Sequence, residues 1–330
     1  MKSAFLKGKT VLITGGTGTF GNAFVTRLLA ENQAKKIIIF SRDEFKQSQM
    51  QGSFKDPEGK LRFFLGDVRD LPRLTQAFHG VDVVVHAAAL KQVPATEYNP
   101  QEAVKTNILG SQNVIDAALA NNVEKALLVS TDKAVQPINL YGATKLAAEK
   151  LFVAANAYRS DERNTAFGVV RYGNVVGSRG SFIELLRTQR ATGVITLTHQ
   201  DMTRFWITID KVMDVILESV DRMKGGEIFV PKMGNMPVVD VITMLTPECE
   251  IKTVGMRAGE KLHEVLVTEY EAPRTKDLGY AFVIKPEYDF VAVFCSWLDA
   301  LPSAQKDFVF ASNNPTFLLA PEEAKEMLKL

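Results

Sequence analysis

The chain has 330 residues, 46% of them hydrophobic and 23% charged, with a formal net charge of +1. That leaves room for one large domain or two smaller ones, and the charge balance signals no nucleic-acid or membrane-surface partner. Two cysteines, Cys249 and Cys295, and four histidines, at 79, 86, 199 and 263, show no ligand spacing, so a reducing compartment and no metal are expected.

The N-terminal stretch MKSAFLKGKT runs into a strand without a signal-peptide pattern. The longest apolar run, near 81–90, is about half of what a membrane helix needs, so a soluble cytoplasmic protein is expected. TVLITG (10–15), KIIIFS (36–41), LRFFLGD (61–67), VDVVVHAA (81–88), KALLVST (125–131) and AFGVVRYGN (166–174) read as buried parallel strands. GNAFVTRLLAEN, LPRLTQAFHG and NPQEAVKTNILGSQNVIDAALANN read as helices between them. QMQGSFKDPEGK (49–60) reads as a polar loop. This alternation predicts an α/β fold with a doubly wound parallel sheet, and it places ligands at the C-terminal ends of the strands.

The first strand ends in TGGTGTFG, where Gly15, Gly18 and Gly21 open a helix. Glycines there let backbone N–H groups approach a pyrophosphate at a helix N-terminus, the chemistry of dinucleotide binding. The second strand ends in Ser41, Arg42 and Asp43, with Lys46 one turn on. A hydroxyl, a guanidinium and an ammonium suit a 2′-phosphate, so NADP is favoured, and Asp43 should turn inward. Asp67 and Val68 end the third strand, where Asp67 either meets an adenine edge or caps a helix. The fifth strand ends at Ser130 and Thr131, which puts Asp132 and Lys133 on the same rim. After Pro137 a helix follows, and Tyr141 and Lys145 share one of its faces, directed at that rim.

These pieces together, with HAAA at 86–89, Asn107 and RYGNVVG, resemble the extended short-chain dehydrogenases/reductases. The resemblance implies a Rossmann domain at 1–173 plus about 205–231. It implies a smaller nucleotide-sugar domain at 174–204 and about 232–330. It implies cofactor contacts from Thr17, Thr19, Phe20, Ala87, Ala89, Lys91, Asn107, Tyr141 and Lys145, besides the residues already named. It makes Tyr141 the group that exchanges a proton with a substrate hydroxyl, assisted by Thr131. Lys145 and a nicotinamide cation then lower the tyrosine's pKa.

Asp132-Lys133 further resembles the UDP-N-acetylglucosamine 4,6-dehydratases that invert carbon 5, the branch that begins pseudaminic acid biosynthesis. SRDEFKQ, GDVRDL, HAAALKQVPATEYNP, STDKAVQPINLYGATK, RYGNVVGSRGSFI, MTRFWIT, GGEIFVPKM and RAGEKLHEVL carry that likeness. It implies UDP-N-acetylglucosamine as substrate, held by Lys91, Thr131, Asn174, Phe182, Thr198, Arg204, Arg257 and Glu260. It makes Lys133, with a lowered pKa, the base at carbon 5. Protonated Asp132, enclosed once sugar is bound, is the acid at carbon 6. Asn313 and Asn314 are expected near the substrate, while Phe205 and Trp206 read as core. A homo-oligomer is expected. An NADP-linked UDP-sugar 4-epimerase and a non-catalytic dinucleotide sensor are the alternatives; the intact Tyr-x-x-x-Lys pair argues against the sensor.

Overall fold

The computed structural model describes residues 4–160, 164–178 and 180–329; Met1–Ser3 and Arg179, which belong to quoted stretches, lie outside the described residues. Strands β1 (Thr10–Thr14), β2 (Lys36–Ser41), β3 (Leu61–Leu65), β4 (Val83–His86), β5 (Lys125–Thr131) and β6 (Ala166–Tyr172) form where the β-branched runs predict them. They lie parallel in the order β3-β2-β1-β4-β5-β6, the dinucleotide-binding order. All five residues of β1 and all seven of β6 are buried, because helices cover both faces of the sheet. Val11 and Ile13 point into one core and Leu12 into the other, the two-residue period of a strand. Each such burial contributes roughly 1.5–3 kcal/mol against exposure.

Helix α1 (Thr19–Glu31) follows β1. Helix α2 (Glu44–Ser53) starts at Asp43, whose carboxylate accepts the Lys46 N–H at 2.9 Å. The first residues of the expected polar loop at 49–60 are therefore helical, because a good N-cap outweighs their weak apolar pattern. Helix α3 (Leu71–Ala77) is capped by Asp70. The long helix expected over 99–122 is broken instead. After α4 (Val93–Tyr98) come α5 (Pro100–Ala103), a π-helical segment at Val104–Leu109 and α6 (Gly110–Ala120). Helix α7 (Leu140–Ala154) begins after Asn139, whose side chain accepts the Gly142 N–H at 2.8 Å.

Beyond β6 the chain builds a second lobe. Strand β7 (Asn174–Val175) pairs with β9 (Thr203–Ile207), and β8 (Val194–Leu197) with β12 (Glu250–Thr253). Strand β10 (Ile228–Pro231) returns to the main sheet beside β6, and β11 (Gly234–Pro237) joins β9. Strand β13 (Val265–Val267) pairs with β16 (Phe310–Ala311). The lobe has its own core, with Ile183, Ile195, Trp206, Val241 and Ile242. Strands β14 (Thr275–Asp277) and β15 (Ala281–Ile284) extend the main sheet antiparallel to nine strands. The sheet thus reaches into residues expected for the sugar domain, since Phe282, Val283 and Ile284 bury into the main core. Among the described residues no helix is long and apolar enough to cross a membrane.

Candidate active site

Sheet order reverses between β1 and β4, and the turns after these strands meet there. Gly15 has φ +67°, and a Cβ on it would stand 2.9 Å from Ala88 backbone atoms. A Cβ on Gly21 would strike the Gly16 carbonyl, so glycine is what lets α1 start close against the turn. A cleft of about 760 Å³ opens over this switch point. Gly15, Thr17, Gly18, Thr19, Phe20, Ser41, Arg42, Lys46, Asp67, Val68, Ala87, Ala89 and Lys91 line it. The cradle, with glycine where backbone must approach a ligand, fits a dinucleotide. Asp43 caps the α2 N-terminus and pairs with Lys46 Nζ at 2.6 Å, but it still lines the cleft rather than turning inward. Arg42 is 59% exposed at its side chain and 3.7 Å from Asp67. The α3 cap is Asp70, and Asp67 instead binds Arg69 at 2.7 Å. Burial raises the Asp67 carboxyl, but the Arg69 bonds outweigh it and hold the group below its ordinary value.

Two of the expected cofactor residues do not line the cleft. Gly21 serves packing. Asn107 is 1% exposed and sits in the π-helical segment. Its amide donates to the Leu90 carbonyl at 2.9 Å and to Thr144 Oγ1 at 3.0 Å, and its oxygen accepts the Leu90 N–H. It braces the turn after β4 against α7, so its part is support rather than contact.

On the far side of the cleft, β5 ends at Thr131 and turns through Asp132–Ala134. A Cβ on Gly142 would overlap the Lys133 carbonyl, so only glycine lets α7 press on this turn. That contact brings Tyr141 and Lys145 into the cleft with Thr131 and Lys133. Asp132 is fully buried behind them; Oδ1 accepts from Thr131 Oγ1 at 2.9 Å and Lys133 Nζ at 3.0 Å, while Oδ2 has no hydrogen-bond partner. Enclosure of Asp132 therefore precedes any ligand.

The charges differ from the expectation. Burial lowers the Lys133 pKa, but the carboxylates of Asp132 and Glu264, the latter at 3.5 Å, outweigh it and raise the ammonium above its ordinary value. The expected lowering neglected Glu264, which is distant in sequence. Tyr141 is pushed up to about 12 by burial, and the cation that opposes this is Lys133 rather than Lys145. Lys145 donates to the Val129 carbonyl at 2.8 Å, and burial lowers it to about 8.

A second cleft of about 640 Å³ adjoins the first, sharing Asn174 and Phe182. Thr198, Arg204, Arg257 and Glu260 line it, as the sequence reading grouped them. Three N–H groups of Arg204 donate to the carbonyls of Thr203, Lys261 and Leu262, which ties the 257–264 loop to β9. The Thr198 hydroxyl donates to Met202 Sδ at 3.4 Å, and Glu260 accepts the Arg257 N–H at 3.1 Å. Phe205 is core; Trp206 packs on Phe182 and borders both clefts. Asn314 caps a short turn through Thr316 N–H, and neither it nor Asn313 lines a cleft. His263 bonds Thr203 Oγ1 at 2.8 Å. Among the described residues no group of His, Cys, Asp and Glu could hold a metal. Sequence reasoning gave no role to Glu264, Gly142 or Gln92, the last of which borders both clefts. All three stood inside quoted stretches, but only tertiary contact gives them a role.

Comparison with known proteins adds four likenesses. The polysaccharide biosynthesis protein family matches residues 11–286. The chain is 48% identical to the UDP-N-acetylglucosamine 4,6-dehydratase (inverting) of Campylobacter jejuni, over 86% of this chain and 84% of that one. It is 44% identical to the UDP-glucose 4-epimerase of Rickettsia felis, over 82% and 81%. The X-ray structure of Pen from Bacillus thuringiensis superposes with a TM-score of 0.89 at 36% identity, covering 98% of both chains.

Proposed function

The chain belongs to the polysaccharide biosynthesis protein family, and from that premise we propose that it is a UDP-N-acetylglucosamine 4,6-dehydratase inverting carbon 5. The observation that carries the reading is the Asp132–Lys133 pair, 3.0 Å apart with Asp132 fully buried, on the rim that also holds Tyr141. A 4-epimerase needs a proton acceptor at the carbon 4 hydroxyl alone. A dehydratase needs in addition a base at carbon 5 and an acid at carbon 6, and the pair supplies both.

A nicotinamide dinucleotide in the first cleft, when bound, accepts the carbon 4 hydride and returns it to carbon 6. We assign it as NADP on Arg42 and Lys46, two cations at the β2 end. Tyr141 takes the proton of the carbon 4 hydroxyl. The resulting ketone acidifies carbon 5. Lys133 removes that proton, and Asp132 protonates the departing carbon 6 hydroxyl. Asp132 and Lys133 share one proton. In the resting pair it sits on Nζ. Moving it across the 3.0 Å hydrogen bond to Oδ1 gives a neutral amine and a carboxylic acid, the two forms that elimination requires. Arg204 and Arg257 face the nucleotide diphosphate in the second cleft. The product is UDP-2-acetamido-2,6-dideoxy-β-L-arabino-hexos-4-ulose. The reaction is that of a hydro-lyase and the first step of pseudaminic acid formation. Cytoplasmic placement and a homo-oligomer complete the proposal.

The epimerase reading rests on the Rickettsia relative. Mass spectrometry of UDP-N-acetylglucosamine after incubation separates the two. A product lighter by one water is expected, and an isomer of unchanged mass refutes dehydration. Lys133→Ala should still form reduced cofactor but lose solvent deuterium incorporation at carbon 5. Persistent incorporation would assign the base elsewhere.

A further inference from the structure

The Asp132–Lys133 pair does not stand alone. Glu264, 2% exposed, precedes β13 and comes from the other end of the chain. Its Oε1 lies 3.5 Å from Lys133 Nζ. Ser312 fixes its backbone on both sides: Ser312 Oγ accepts the Glu264 N–H at 2.9 Å, and the Glu264 carbonyl accepts the Ser312 N–H at 2.8 Å. Lys261 Nζ stands 3.5 Å from Glu264 Oε2 and donates to the Val135 carbonyl at 2.5 Å, just past the catalytic turn.

Four charges therefore alternate across the junction of the lobes, in the order Asp132, Lys133, Glu264, Lys261. Arg204 and the Tyr141 phenol are the other ionisable groups acting on Lys133. Glu264 borders neither cleft, so it meets the sugar only through Lys133. Burying a carboxylate is costly unless it is paired and hydrogen-bonded. Glu264 Oε2 has no hydrogen-bond partner, so what its burial achieves is the charge it presents to Lys133 and Lys261.

We propose that Glu264 is a positioning residue that holds the shared proton on Lys133 and so sets how readily carbon 5 is deprotonated. This rests on the dehydratase reading. Elimination breaks an N–H bond of the Lys133 ammonium and forms an O–H bond on Asp132. The freed amine lone pair then takes the carbon 5 proton as the C–H bond breaks. The Glu264 carboxylate stabilises the ammonium, so it opposes the first transfer. The counterpart gain is geometric: with a carboxylate on either side, Nζ is fixed beside Asp132 Oδ1, where the proton must go.

The test is carbon 5 hydrogen exchange in deuterated water, followed by NMR between pH 6 and 10, with the cofactor-loaded enzyme and UDP-N-acetylglucosamine. Glu264→Gln keeps the shape and removes the charge. Exchange should become about 10- to 100-fold faster across the range, the effect of removing one close charge that opposes the transfer. Glu264→Asp, with its charge withdrawn, should fall between. Reduced nicotinamide formed on mixing reports that each variant is folded and binds substrate. Superimposed profiles, or an equal fall at every pH, would overturn the proposal, since a mere brace gives one or the other. Exchange that persists in Lys133→Ala overturns the base assignment and this proposal with it. Exchange lost in Lys133→Ala but unmoved in Glu264→Gln overturns this proposal alone.

Discussion

Tyr141 stands in a cleft wall where burial alone would make it a poor proton acceptor, and its pKa of about 12 reflects that. The Lys133 ammonium and the Thr131 hydroxyl pull the other way. Tyr141→Phe removes the acceptor with almost no change in volume. We expect no reduced cofactor on mixing with UDP-N-acetylglucosamine, read by absorbance, with the melting temperature little changed. Normal accumulation would remove Tyr141 from the mechanism. His86 is the other telling residue. Its Nδ1 lies 2.7 Å from Thr14 Oγ1 and its Nε2 3.1 Å from Ser111 Oγ. Burial, with Lys145 nearby, lowers it from 6.5 to about 3. Between those values the unfolded chain binds a proton that the folded chain refuses, so stability is lost as pH falls below 6.5. The stability advantage of wild type over His86→Gln should shrink by about 1.4 kcal/mol per pH unit below that point. Urea unfolding from pH 7 to 4 measures it, and a pH-independent difference would show that the ring is not held neutral.

Among the elements, β6 carries a charge through the core. Arg171, 2% exposed, donates to Glu149 of α7 at 2.7 Å, to Glu271 at 3.1 Å and to the Leu266 carbonyl at 2.8 Å. Ser130 of β5 donates to the same Glu149 at 2.5 Å. One network thus links β5, the Tyr141 helix and the second lobe just past Glu264. Arg171→Leu leaves two carboxylates uncompensated and should cost about 3–5 kcal/mol in urea unfolding. Replacing Glu149 by Leu as well should recover part of that loss; a deeper loss would mean the network is not paired as described. The strands were legible because a fully buried parallel strand needs a near-continuous apolar run, and residues 126–129 of β5 and 166–170 of β6 supply one each. Helix α2 was not, since Asp43 caps it through a hydrogen bond that no apolar period reveals. The π-helical break at Val104–Leu109 was not either, because it answers to Asn107 bridging Leu90 and Thr144.

At the scale of the molecule, one cleft lies over the sheet and another in the second lobe, and they meet at Asn174, Phe182 and Trp206. Cofactor choice belongs to this scale, because Arg42 after β2 and Asp67 after β3 face each other only in the folded sheet. Arg42→Ala should weaken NADP by about 1.5–3 kcal/mol, the worth of a charged hydrogen bond, and leave NAD affinity as it was. Calorimetric titration of both dinucleotides checks this. Equal losses for the two would mean that Arg42 does not meet a 2′-phosphate.

By itself the sequence determined whatever depends on near neighbours along the chain. Strand runs, the Gly15–Gly21 turn, the Tyr141–Lys145 helix face and the Asp132-Lys133 step are all set within a few residues by period, backbone freedom and spacing. Tertiary structure decided the charge states and the divisions. Asp132 and then Glu264, folded against it from the other lobe, raise the Lys133 ammonium, and Tyr141 answers to Lys133 because Gly142 lets the helix approach. Strands β14 and β15 joined the main sheet because their apolar faces had a core to bury into. The reason is common to all three: electrostatic and packing energies depend on distance in space, and groups far apart in the chain become close only when the fold is complete.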